Sequence, residues 1–219
     1  MIGSRDMSFK LNNEELIDVR KFGFLSDPSY FKAGISDNDV VTAREGVLRR
    51  LLDAKKELPQ GWNFKIWDGY RTLGTQTVLY LGLYKNIIRK HPLRAPTRVK
   101  RATEKFVMRP SFDYKKPSPH NTGAALDLTL VDKGGHELDM GTPFDLFDVS
   151  SYTMHFKSAK EGTPGYKWHL NRMIPYSILV DMGFFNFPDE WWHFSYGERL
   201  WAKHYGKKAL YGSWELTRG

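Results

Sequence analysis

Apolar residues recur along the chain with two different periods, and the changes between them mark out the elements. From Asp39 to Leu58 the residues Val40, Val47, Leu48, Leu51 and Leu52 fall on one helical face, and Pro59 stops the run. Thr75 to Lys90 predicts a second helix that ends ahead of Pro92. Between Asn171 and Gly183, Met173, Ile174, Ile178, Leu179 and Met182 predict a third, with Pro175 admissible only near its first turn. Strands are expected at Phe64 to Trp67, Ala124 to Val131 and Trp191 to Tyr196. In the middle one Leu126, Leu128 and Leu130 share a face, and Asp127, Thr129 and Val131 point the other way. The best fit is an α+β fold in which an antiparallel sheet is flanked by helices. No repeat, low-complexity tract or flexible linker divides the chain, so residues 1–219 read as a single domain.

Composition narrows the chemistry. A 41% hydrophobic and 15% aromatic content over 219 residues is enough for one substantial core. With no cysteine there is no disulfide, thiolate ligand or thiol nucleophile. No stretch reaches the roughly 18 apolar residues of a membrane span. Met1 to Lys21 is broken up by Asp6, Lys10, Glu14, Glu15, Asp18, Arg20 and Lys21 and so lacks the apolar core of a signal peptide. The expected location is the cytoplasm, or the periplasm if a leader has been cut off. The net charge of +8 is concentrated in residues 85–116, where eleven Lys or Arg face only Glu104 and Asp113. Such a run can bind a polyanion. It has no aromatic platform or nucleic-acid motif, so no nucleic-acid partner is expected. It reads as a solvated, partly mobile insertion near the mouth of a site, able to steer an anionic ligand.

Two short clusters carry candidate chemistry. Ser118-Pro119-His120-Asn121-Thr122-Gly123 is a double turn leading into the strand that holds Asp127, and Glu190-Trp191-Trp192-His193 lies farther on. A histidine near an apolar strand is more often a hydrogen-bonded core residue than a ligand, so neither cluster is decisive alone. Together they supply two imidazoles and a carboxylate for a metal, plus a spare carboxylate. A catalytic zinc site needs about three protein ligands, an open position for water and a nearby base. Asp127, facing an interior, requires a cation or a full set of donors. Glu190 and His193, three apart, face opposite sides of a regular strand, so Glu190 is expected at a bend just before it. A third segment, Phe64 to Arg71, is an alternating strand closed by an Asp-Gly turn that delivers Arg71. That arginine reads either as solvated or as a stabiliser of developing negative charge. His91, His136, His155, His169 and His204 have no ligand spacing.

These segments resemble the zinc D-alanyl-D-alanine dipeptidases of the VanX type, within the wider group of zinc D,D-peptidases. The resemblance is carried by Trp67-Asp68-Gly69-Tyr70-Arg71, Ser118-x-His120-x-x-Gly123-x-Ala125-x-Asp127, Met140-Gly141-x-x-Phe144-Asp145 and Glu190-Trp191-Trp192-His193, and spans about residues 47–196. It implies one zinc per chain held by His120, Asp127 and His193, with Glu190 as general base and acid. It also implies that Arg71 stabilises the transition state, Asp145 binds the free ammonium of a small dipeptide substrate and Ser118 helps hold that substrate. Pro119 departs from the family, which places a hydrogen-bonding residue before the first zinc histidine, and proline has no backbone donor. Two other readings stand beside the dipeptidase. A D,D-carboxypeptidase or peptidoglycan endopeptidase would have no use for a carboxylate against an ammonium. A zinc-binding module without catalysis would have no use for Glu190 and Arg71. The sequence is silent on oligomeric state.

Overall fold

The computed structural model describes residues 12–114 and 116–217. Part of the segment read for a leader, residues 1–11, and Lys115 of the basic run lie outside the described residues. The main sheet has five strands in the order β2 (Leu25–Ser26), β4 (Asn63–Asp68), β5 (Ala125–Val131), β7 (His193–Ser195) and β6 (Phe185–Asn186). It is antiparallel from β4 onward, as expected, and β2 joins its edge in parallel. A two-stranded ribbon pairs β1 (Leu16–Asp18) with β3 (Thr42–Arg44). The helices are α1 (Ser29–Lys32), α2 (Glu45–Lys55), α3 (Leu73–Lys90), α4 (Pro96–Glu104), α5 (Pro164–Asp181) and α6 (Arg199–His204).

The two faces of the central strands differ in chemistry, and the alternation read in β5 explains why. Leu126, Leu128 and Leu130 are buried against Val47, Leu48 and Leu51 of α2, Phe64 and Ile66 of β4, Leu179 of α5 and Phe194 of β7. Each such side chain contributes about 1.5–3 kcal/mol by leaving water. The opposite face is also covered, because Trp67, Met140, Trp191 and Trp192 pack over it. A strand buried on both sides with an aspartate at its centre is the setting in which an ionised group must find partners.

The element boundaries depart from the sequence reading in places with identifiable causes. The helix expected from Asp39 begins only at Glu45, because Thr42–Arg44 pair with Leu16–Asp18 and the ribbon captures those residues. The second helix starts two residues earlier, where the Thr72 hydroxyl caps it by accepting from the Thr75 backbone amide at 3.0 Å. The third runs from Pro164, so Pro175 lies mid-helix and not in a first turn. Its missing N–H costs one helical bond, while Ile174, Ile178 and Leu179 on the same stretch join the main core. Residues 96–104 form a helix inside the segment read as a mobile insertion, with Val99 and Thr103 buried one turn apart. Only those two positions face inward, so the charge on the rest of the turn hides the period.

Candidate metal centre and active site

Strand register builds half of the site. Asp127 of β5 lies directly opposite His193 of β7, so both side chains project from the same face. On the other side of β5 the register slips: Ile66 pairs with Leu128, yet Asp68 pairs with Asp127, which leaves Trp67 as an extra residue. A bulge of this kind re-aims the following side chain. Without it Asp68 would face the hydrophobic core; with it, Asp68 joins Asp127 and His193. The chain then turns at Gly69, where a Cβ would run into the Thr42 carbonyl, so only glycine fits.

His120 arrives from the short 3-10 turn His120–Thr122, which Gly123 closes in the left-handed region at φ 72°. Its Nδ1 is 2.8 Å from the Gly69 carbonyl, an acceptor only, so Nδ1 carries the proton and Nε2 presents its lone pair. That Nε2 is 3.1 Å from His193 Nδ1 and 3.4 Å from Asp127 Oδ1, and the last two atoms are 3.0 Å apart. Ligand atoms about 2.0–2.1 Å from a tetrahedral ion stand roughly 3.3 Å from one another. The triangle formed by His120, Asp127 and His193 has those dimensions. The residues present therefore fit a metal ion, and a single set of three such ligands occurs among the described residues.

Glu190 occupies the turn ahead of β7, where its amide donates to the Phe187 carbonyl at 3.0 Å. It is buried, and its Oε2 stands 3.8 Å from His193 Nδ1, beside the triangle and outside it. Arg71 is buried and held on several sides. Its Nε and Nη2 donate to Asp68 Oδ2 at 3.0 and 2.5 Å, and its Nη1 donates to Gln76 Oε1 at 3.0 Å. Its Nη2 also lies 3.7 Å from Asp127 Oδ2, and the guanidinium sits over the Tyr30 ring. Tyr30 in turn donates to Asp145 Oδ1 at 3.2 Å. Asp145 is the one non-glycine residue among the described residues with a left-handed backbone, at φ 63°. Ser118 Oγ donates to Asn121 Oδ1 at 2.6 Å. Glu190, Arg71, Gln76, Tyr30, Asp145 and Ser118 line one cavity with His120, Asp127, His193, Pro119, Phe147, Phe187 and Trp192, and Asp68 stands behind Arg71. Pro119 takes the N-cap of the 3-10 turn and its ring forms part of the wall.

The structure thus gathers all seven residues singled out from the sequence. It adds three that were not: Asp68, Gln76 and Tyr30, which hold Arg71 and Asp145. Asp68 also approaches His120 Nδ1 at 3.1 Å, so one carboxylate supports both the guanidinium and a ligand ring. In the sequence Asp68 looks like the first half of an Asp-Gly turn, and nothing there reveals the bulge that redirects it.

The electrostatics of the cavity are lopsided. Glu104, Asp127, Asp145 and Glu190 line it and Asp68 stands behind Arg71, whereas its cations are Arg71 and Lys105. Burial, with Asp127 and Asp145 nearby, pushes Glu190 well above the usual carboxyl range. Burial likewise raises Asp145 to about 6, with Asp127 adding to the effect and Arg71 opposing it. Burial works against ionising Asp127, yet His120 and His193 outweigh it and hold that carboxyl far below its ordinary value. The same pair of effects, burial against Asp127 and Asp68, leaves His120 above the ordinary imidazole value. A site with this excess of acids is built to receive positive charge.

A mixed α+β fold carrying a His, Asp, His ligand triangle with a separate buried carboxylate marks the chain as a metallopeptidase. More narrowly, it belongs to the D-ala-D-ala dipeptidase family, which it matches over residues 37–210. It is 28% identical over 180 residues to a D-alanyl-D-alanine dipeptidase of Synechocystis sp. (strain ATCC 27184 / PCC 6803 / Kazusa), covering 75% of this chain and 73% of that protein. A D-alanyl-D-alanine dipeptidase of Escherichia coli (strain K12) is 36% identical over 82 residues, 37% of this chain and 39% of the relative. Among solved structures, VanYB in complex with D-Alanine-D-Alanine aligns with a TM-score of 0.47 at 16% identity, over 94% of this chain and 89% of that one. No helix among the described residues is long and apolar enough to cross a membrane.

Proposed function

We propose that this protein hydrolyses the D-alanyl-D-alanine dipeptide, or a close D,D-dipeptide, with one zinc ion held by His120 Nε2, Asp127 Oδ1 and His193 Nδ1. The observation that carries the reading is the charge imbalance of the cavity: Glu104, Asp127, Asp145 and Glu190 in its lining, with Asp68 behind Arg71, outnumber the cations Arg71 and Lys105, which leaves room for a dication and for the ammonium of a small substrate. When bound, zinc lowers the pKa of water toward about 7 and polarises the scissile carbonyl.

The chain's own residues supply the remaining steps. Glu190 stands beside the ligand triangle with a raised proton affinity, which suits a group that takes the proton of the attacking water and returns it to the leaving amine. Arg71, locked by Asp68 and Gln76, offers a preorganised positive charge to the oxyanion. Asp145 sits across the cavity, where the substrate ammonium restores the ionised form that burial disfavours. Ser118 and Pro119 line the same cavity and help to bound the substrate. A carboxylate reserved for an ammonium favours a dipeptide with a free amino end over a long stem peptide.

The deciding experiment incubates zinc-loaded protein with D-Ala-D-Ala, L-Ala-L-Ala and a pentapeptide stem, and follows amino-acid release. Release from the D,D-dipeptide alone is the expected result. Equal release from the pentapeptide moves the assignment to a D,D-carboxypeptidase.

A further inference from the structure

Apart from residues 104–108, the basic run lies outside the catalytic cavity, and its placement gives it a face of its own. Along α3 the outward stripe is Val78, Leu81, Lys85, Ile88 and Arg89, with no acidic residue anywhere in the helix. The turn to α4 presents Leu93 at 99% exposure, flanked by Lys90 and Arg94. From α4 come Arg98, Lys100 and Arg101, all exposed. Among the described residues the only carboxylate within 4.0 Å of any of these cations is Glu104, which stands 3.8 Å from Lys100. Between the two helices runs a groove with Tyr80, Leu81, Tyr84 and Pro96 in its walls, and Lys100 and Arg109 contribute positive charge. Tyr80 and Tyr84 stack on each other at 6.3 Å, and Tyr80 is buried.

A face that mixes exposed cations with exposed aliphatic side chains, Leu93 fully solvated among them, costs free energy in water and is rewarded by one kind of surface. Nucleic acid would meet the charge but not the aliphatic groups, and the tyrosines that could stack on bases are engaged with each other. A second copy of the chain would bring like charge against like charge. An anionic lipid interface meets both demands, because basic residues are attracted to its headgroups and aliphatic tips enter the acyl boundary.

We propose that the α3–α4 hairpin is a peripheral docking surface for an anionic phospholipid bilayer, with Leu93 entering the interface and the groove beside Lys100 and Arg109 taking a lipid phosphate. The C-terminal end of α4 and the residues after it, Glu104 to Met108, line the catalytic cavity, so docking sets the mouth of the site close to the membrane plane. The inference stands on the hairpin alone and does not depend on the substrate.

Full-length protein is sedimented with phosphatidylcholine vesicles with and without phosphatidylglycerol, at low and high salt. Binding is expected only with the anionic lipid and weakens as salt screens it. Leu93→Ser should weaken it about tenfold or more, the effect of keeping a leucine in water. Lys100→Gln and Arg109→Gln should each weaken it about fivefold. Leu93 is solvated, so dipeptide hydrolysis in solution stays unchanged and shows that the variant is folded. Equal binding to neutral vesicles, or no binding to either, overturns the proposal. So does a Leu93→Ser protein that binds like the parent while polyphosphate or single-stranded RNA displaces it from the vesicles, since the face would then be a soluble-polyanion site.

Discussion

The two halves of the catalytic cavity are held by different means. Asp68, Asp127 and His193 stand on neighbouring strands, and their spacing follows from hydrogen-bond register. A one-residue slip would turn each of them into the hydrophobic core. Asp145 instead stands on the long connection between β5 and α5, where no ladder fixes it. That connection is tied down by Arg172 of α5, which is buried and donates to the carbonyls of Met140, Ser150 and Tyr152 and to the Thr142 hydroxyl. Among the described residues no carboxylate balances this guanidinium, and burial lowers its pKa to about 10. The strand half has the precision a metal demands, whereas the loop half can be tuned to substrate shape by changing what the clamp holds.

The sharpest test of the strand half is to remove its members one at a time. His120→Ala, Asp127→Ala and His193→Ala should each lose the zinc, measured by metal analysis after dialysis, because three ligands leave no redundancy. Glu190→Gln should keep zinc and fold and lose about 10²–10⁴ in kcat. Full activity in Glu190→Gln would mean that another group carries the proton.

The loop half is tested by the charge it receives. On the proposed pairing of Asp145 with the substrate ammonium, acetylating that amine removes the partner at a cost of roughly 2–5 kcal/mol. N-acetyl-D-Ala-D-Ala should therefore be cleaved at least about 30 times more slowly than the free dipeptide, with the gap narrowed by Asp145→Ala. The carboxyl of Asp145 is raised to about 6, so the ionised form that binds an ammonium is present above that pH and lost as pH falls through it. A bound dication draws the value down, making about 6 the upper limit. KM should rise about tenfold per pH unit below the bend in the parent, and a bend that survives in Asp145→Asn would assign it to another group.

Much of this is legible in the sequence, and the parts that are not share a cause. Alternation in β5 separated Leu126, Leu128 and Leu130 from Asp127, and the turns around His120 and Glu190 placed those side chains next to strands. What escaped depends on contacts between distant segments. Residues 42–44 become a strand only because Leu16–Asp18 are there to pair with them. Arg172 carries no local sign that four acceptors from residues 140–152 converge on it.

Asp68 is the plainest case, because its role arises from the bulge and its effect reaches both Arg71 and His120. Asp68→Ala should weaken zinc affinity or turnover by about 10–100-fold, the usual loss when a support behind a ligand is removed. Chelator competition and kcat are read in parallel. A loss confined to kcat would mean that Asp68 works through Arg71 alone.

The smallest effect expected is also the one that most directly separates the two halves. Arg172→Lys keeps a buried positive charge but replaces a flat fork by a point donor, which cannot reach four acceptors spread over three sides. The connection then relaxes where Asp145 is held, while Asp127 and His193 keep the register that the β5–β7 ladder gives them. A misplacement costing about 1 kcal/mol at the ammonium corresponds to roughly a fivefold rise in KM for the free dipeptide. N-acetyl-D-Ala-D-Ala makes no use of the Asp145 charge, so its kcat/KM should be unchanged, and zinc content should stay at the parent level. Loss of activity on both substrates together with zinc would show that Arg172 supports the whole fold and that the halves are not separable. A rise in KM for the free dipeptide alone would show that the loop half can be detuned without touching the metal.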